Sequence, residues 1–207
     1  MRLGLFGGSF DPVHYGHLLL AEICREECRL DQVWFVPAAT APHKRNQGHA
    51  SDSQRLEMLR LAIAGQETFQ VSDVEIERGG ISYTVDTLKV IRAQRPTDEL
   101  FFLIGADSLD DFHNWREPKT ICQLATIIVV DRHGSQRVDL ERFAVFADPQ
   151  RLEEIRKHRV EFPLIEISST DIRHRAAAGK SIRFRLPRAV EKYIETNKLY
   201  TAGKTDE

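Results

Sequence analysis

The stretch Leu3-Gly4-Leu5-Phe6-Gly7-Gly8-Ser9-Phe10-Asp11-Pro12-Val13-His14-Tyr15-Gly16-His17 decides the fold. An apolar run of strand length at 3–6 feeds a glycine turn. After His17, Leu20, Ala21, Cys24 and Cys28 recur on one helical face. The alternation continues outward. Runs at 33–36, 69–76, 100–104, 127–130 and 164–167 read as further strands. Leu56, Leu59 and Ile63, then Val85, Leu88 and Ile91, mark helices between them. Strands alternating with helices predict a doubly wound, Rossmann-like α/β fold, a parallel sheet flanked by helices. A small C-terminal helical part is expected at about 168–200. No repeat, low-complexity tract or linker interrupts the chain, so residues 1–207 read as a single domain.

Composition narrows the function. With 207 residues, 42% hydrophobic and 29% charged, the chain can bury a core without disulfide or metal staples. The 29 Lys and Arg against 31 Asp and Glu exclude coating nucleic acid or anionic membrane through bulk charge. No apolar run approaches a membrane span, and the first residues make a poor signal peptide. Cys24, Cys28 and Cys122 form no C-x-x-C pair, which suits a reduced, cytoplasmic protein with small buried thiols. The stretch 151–188 carries ten Lys or Arg and five acids, leaving the rest of the chain at -7. That local basic segment fits a small, highly charged ligand, although 151–159 reads as a solvated helix face.

In such sheets ligands bind beyond the carboxyl ends of the strands. Gly7-Gly8-Ser9 allows phosphate to approach the backbone N–H groups and the Ser9 hydroxyl. The glycines match neither G-x-G-x-x-G nor a Walker loop. His14 and His17, three apart at a helix start, can face one ligand and donate to phosphate oxygens. A lone H-x-x-H is weak evidence for zinc, and no metal ligands are assigned. Ile167-Ser168-Ser169-Thr170-Asp171-Ile172-Arg173 opens a second short helix, stopped by Gly179. Its hydroxyls and Arg173 form either an anion site or plain capping. Lys44, in Ala41-Pro42-His43-Lys44, can neutralise phosphate charge or simply be a solvated loop lysine. Asp107, past the fourth strand, suits a ribose, and Trp115 can stack on a flat ring or merely pack.

Gly-Gly-Ser-Phe-Asp-Pro-x-His-x-Gly-His together with Ile-Ser-Ser-Thr-x-Ile-Arg resembles the paired signature of the nucleotidyltransferase superfamily. Within it, the chain is similar to the bacterial nicotinate-nucleotide adenylyltransferases. Pro42-His43-Lys44, Ser82 to Leu88, Gly105-x-Asp107-Ser108-Leu109 with Phe112 and Trp115, and Leu186-Pro187 through to Leu199-Tyr200 carry that narrower likeness. Ser9 stands where threonine is common, and Ala41 where many relatives have proline. The likeness is weakest at about 134–162, where no role is assigned.

The resemblance implies in-line transfer of an adenylyl group from ATP to nicotinate mononucleotide, giving deamido-NAD and pyrophosphate. It implies that His14 and His17 hold the ATP phosphates, with Gly8, Ser9 and Phe10 beside the reacting atoms. Ser168, Ser169, Thr170 and Arg173 would hold the departing pyrophosphate, and Lys44 the mononucleotide phosphate. Thr84 and Trp115 would line the pyridine pocket and Asp107 meet a ribose. Mg²⁺ would arrive on ATP, held mainly by its oxygens and water. The nucleophile is already an anion, so no general base is needed. The rivals are a sister adenylyl- or cytidylyltransferase, for example one acting on phosphopantetheine, and a non-catalytic nucleotide sensor. An NAD-dependent oxidoreductase fails on the absent glycine fingerprint.

Overall fold

Residues 1–39, 50–109, 111–132 and 139–201 are described by the computed structural model. Strands and helices alternate from the start: β1 (Arg2–Gly8), α1 (Tyr15–Glu27), β2 (Gln32–Pro37), α2 (Asp52–Ile63), β3 (Phe69–Val71), α3 (Val74–Arg78) and α4 (Thr84–Gln94). Then come β4 (Glu99–Gly105), α5 (Ala106–Leu109), a 3₁₀ turn at Phe112–Asn114, α6 (Pro118–Leu124) and β5 (Thr126–Arg132). A second 3₁₀ stretch at Leu140–Val145 leads to α7 (Pro149–Lys157), β6 (Arg159–Phe162), α8 (Ser169–Ala177) and α9 (Arg188–Thr196). The strands form one sheet in the order β3-β2-β1-β4-β5-β6, and every pairing is parallel. The doubly wound α/β expectation therefore holds.

A sheet covered on both faces demands strands that are apolar on both faces. β5 shows it directly. Ile128 and Val130 join Val33, Phe35 and Leu103 in a core closed by α1, α2, α8 and α9 through Ala21, Met58, Ile172 and Val190. Ile127 and Val129 face the opposite core, with Leu3 and Leu5 against Leu88 of α4, Ile121 of α6 and Ile155 of α7. The three cysteines are free and buried. Burial pushes the Cys28 thiol up to about 11 and the Cys122 thiol up to about 12, so both are inert packing groups. No described helix is long and apolar enough to cross a membrane.

The expected strand boundaries differ in two places. The third strand stops at Val71, and Val74–Arg78 turns into a short helix ended by Gly79 at φ +67°. The last strand is Arg159–Phe162 rather than 164–167. Pro163 has no N–H to continue a ladder, and Leu164 beyond it is 66% exposed. Arg159 consequently leaves the helix face on which the sequence placed it and ion-pairs with buried Asp131 of β5.

Candidate active site

The strand order reverses between β1 and β4, which places a crevice outside their carboxyl ends. The loop leaving β1 forms one wall, and its shape is set by packing. Phe10 takes φ +48° and folds its ring back over Gly8, where a Cβ would lie 2.9 Å from it. The ring is buried, edge-on to Phe6 and Phe35.

The loop carbonyls are then held one by one. Arg55 of α2, itself buried, donates Nη1 to the Ser9 carbonyl at 2.8 Å and Nη2 to the Ala38 carbonyl at 2.6 Å. Arg173 Nη1 donates to the Asp11 carbonyl at 2.7 Å, and Ser169 Oγ to the Pro12 carbonyl at 2.8 Å. In a trans peptide the C=O and the next N–H point in opposite directions. The Phe10 and Val13 N–H groups are thus directed away from Arg55 and Ser169. Dipoles fixed in this way suit an anion.

His14 is the N-cap of α1 and 6% exposed. Its backbone N–H donates to His17 Nδ1 at 3.2 Å. A ring nitrogen that accepts carries no proton, so a neutral His17 holds its proton on Nε2 and is a donor from that side. The two rings stack at 3.7 Å between centroids with 22° between planes, and Phe10 lies edge-on to His17 at 5.0 Å. Burial lowers His14 to about 4, so at neutral pH it is an uncharged donor. His14 Nδ1 is buried with no hydrogen-bond partner among the described residues. Gly16 makes room for this ring, since a Cβ there would stand 3.0 Å from His14 Nδ1.

α8 brings its N-terminus to the same loop. Ser168 caps it, its Oγ accepting from the Asp171 N–H at 3.1 Å. Arg173 is shared between the Asp11 carbonyl and Thr170 Oγ1, the latter at 3.3 Å. The Ser169 proton is engaged by Pro12, which leaves Ser168 and Thr170 as the hydroxyls nearer a ligand role.

The β4 side is built from rings. Trp115 is half-buried after the Phe112–Asn114 turn, 5.3 Å from the Phe112 ring and 6.1 Å from the Phe102 ring. Phe102 in turn lies 3.7 Å from where a Cβ on Gly7 would be, which connects this wall to β1. Thr84 opens α4. Its neighbour Tyr83 lies under the Arg116 guanidinium, next to Trp115, at 5.0 Å.

The structure therefore brings His14, His17, Gly8, Ser9, Phe10, Ser168, Ser169, Thr170 and Arg173 to one loop and helix pair. Thr84 and Trp115 meet through their neighbours on the other wall. Lys44 and the Asp107 side chain lie outside the described residues. Three positions were given no site role from the sequence: Arg55, Gly16 and Tyr200, whose hydroxyl reaches Asp11. Arg55 sits beside the apolar stripe of α2 and carries no local sign of burial. Among the described residues no group of three or more His, Cys, Asp or Glu is placed to hold a metal.

A family model described as cytidylyltransferase-like matches residues 5–175. The chain belongs to the cytidylyltransferase-like family. Its relatives within that family are close in length as well as sequence. A probable nicotinate-nucleotide adenylyltransferase of Citrifermentans bemidjiense is 45% identical over 99% of this chain and 100% of its own. One of Salinibacter ruber is 42% identical over 97% and 98%. Among solved structures, Plasmodium falciparum nicotinic acid mononucleotide adenylyltransferase complexed with NaAD superposes with TM-score 0.71 at 20% identity, covering 96% of this chain and 97% of that one. The crystal structure of a putative nicotinate-nucleotide adenylyltransferase from Vibrio parahaemolyticus gives 0.68 at 21% identity, covering 98% of each. At those identities the structures share the cytidylyltransferase-like fold.

Proposed function

We propose that this chain transfers the adenylyl group of ATP to nicotinate mononucleotide, forming deamido-NAD and pyrophosphate. The observation that carries the reading is the stacked His14–His17 pair on a loop whose carbonyls are tied back. Full-length relatives named for this reaction support the choice of acceptor.

A phosphate oxygen of the mononucleotide attacks the α-phosphorus of ATP. The new P–O bond forms as the bond to pyrophosphate breaks, and the leaving oxygens take the electron pair. No proton need be removed. What the residues supply is position and compensation of charge. His17 Nε2–H and the neutral His14 ring donate to the oxygens around the α-phosphorus, beside the positive end of α1. The backbone at Gly8 to Phe10, with the Ser9 hydroxyl, lies next to those atoms. Arg173 and the opening turn of α8, with the Ser168 and Thr170 hydroxyls and the Ser169 backbone, receive the β- and γ-phosphates. Lys44 reaches the mononucleotide phosphate, Asp107 a ribose, and Thr84 and Trp115 the pyridine ring. Mg²⁺ comes with ATP, its charge offsetting that of the triphosphate. We read residues 1–207 as one nucleotidyltransferase unit, since Ile172, Val190 and Ile194 share a core with Ala21 and Val33. Three buried free thiols suit the cytoplasm.

The test is pyrophosphate release with Mg-ATP and, in turn, nicotinate mononucleotide, nicotinamide mononucleotide and phosphopantetheine. Turnover fastest with the first is expected. Equal rates with both pyridine nucleotides would mean that the pocket ignores the carboxylate. Turnover only with phosphopantetheine would reassign the acceptor, and ATP binding without turnover would make the protein a sensor.

A further inference from the structure

Asp11 is a buried carboxylate, 4% exposed, on a loop that offers it no use as a base in a reaction between two phosphates. Its Oδ1 accepts from Tyr200 Oη at 2.6 Å and from the Ala50 N–H at 3.3 Å. Its own carbonyl takes Arg173 Nη1 at 2.7 Å. One residue thus receives α8 through its backbone and the segment after α9 through its side chain. Burial first, and the adjacent Asp11 charge second, push the Tyr200 phenol well above its ordinary value, so it stays a donor at every working pH. Tyr200 takes a left-handed φ of +59°, uncommon for an aromatic residue, in reaching Asp11.

From Asp11 the chain has only Pro12 and Val13 before His14, the N-cap whose N–H orients His17. Two residues thus separate the Asp11 contacts from the N-cap that sets the His17 ring. We propose that Tyr200 and Asp11 form a positioning pair that holds the His14–His17 stack in register with the reacting phosphorus. This rests on the adenylyl-transfer reading. The pair acts through the loop, so its loss lowers transition-state stabilisation more than ground-state binding.

The experiment is steady-state pyrophosphate release with Mg-ATP and nicotinate mononucleotide for wild type, Tyr200→Phe and Asp11→Asn, with thermal melts of each. Tyr200→Phe keeps the ring. It is expected to lower kcat about 10-fold with both KM values within about twofold, the scale of a sub-ångström misplacement. Asp11→Asn keeps a neutral acceptor and is expected to lower kcat about 3-fold. A folded Tyr200→Phe enzyme with wild-type kcat, or with a rise in either KM larger than the fall in kcat, overturns the pair. If Tyr200→Phe does not fold, Asp11→Asn decides, and a wild-type kcat there overturns it. A wild type that releases no pyrophosphate overturns the adenylyl-transfer reading and the pair with it, whereas wild-type turnover beside an unaffected Tyr200→Phe sinks the pair alone.

Discussion

The two walls of the β1–β4 crevice are held by different forces. On the β1 side, Arg55 and Arg173 grip main-chain carbonyls at 2.8 and 2.7 Å. Hydrogen bonds to charged groups contribute about 1.5–3 kcal/mol each. On the β4 side, Trp115 rests on Phe112 and Phe102. Such ring pairs add about 0.5–1.5 kcal/mol beyond the area they bury. Under the proposed reaction, the difference matches what each wall would hold. Charge that moves between phosphate oxygens needs dipoles whose direction is fixed beforehand, which only saturated polar anchoring provides. A flat ring needs a surface of the right shape, and Trp115, tilted on Phe112 and edge-on to Phe102, offers one.

The sharpest way to break this contrast is at the histidine stack. His17→Ala is expected to lower kcat about 10²-fold or more, as loss of one oxyanion donor does. A folded variant turning over at a near-normal rate would take His17 out of the chemistry. The aromatic wall should respond in a different parameter. Trp115→Ala is expected to raise KM for nicotinate mononucleotide about 10-fold, the scale of one stacking contact, and to raise that for ATP less. Equal rises for the two substrates would assign Trp115 to packing alone.

The smallest effect concerns stability. Folded His14 titrates at about 4 against an ordinary 6.5, because burial penalises its charged form. Between those values the unfolded chain binds a proton that the folded chain does not. The stabilisation is therefore whole above pH 6.5 and is lost as pH falls towards 4, amounting to about 1 kcal/mol between pH 7 and pH 5.5. Denaturant titration at both pH values should show a smaller drop for His14→Asn than for wild type. Identical drops would show that His14 is not the source.

Local signals were legible and distant ones were not. The glycine turn between β1 and α1 and the capped start of α8 each declare themselves within a dozen residues, so the sequence placed both beside the crevice. β6 was misplaced because Arg159–Phe162 follows Lys157 of α7 at once and alternates charged with apolar residues, whereas 164–167 is apolar but lies beyond Pro163. Gly16 is visible as a glycine, yet its reason, the ring of His14, exists only after folding. Arg55 and Tyr200 act on partners 46 and 189 residues away, so the residues around each one do not reveal the contact it makes.

Those separations have a consequence for the order in which the protein comes into being. The loop at 9–14 is made before its anchors, since Ser169, Arg173 and Tyr200 follow their partners by 157, 162 and 189 residues. Through the synthesis of all six strands the loop has none of these three anchors. A nascent chain interrupted before α8 carries the glycines and both histidines without the groups that direct them. The shape of this loop is thus completed only once the segment after α9 has been made, so a copy lacking that segment would hold the same glycines and histidines in a less restrained backbone.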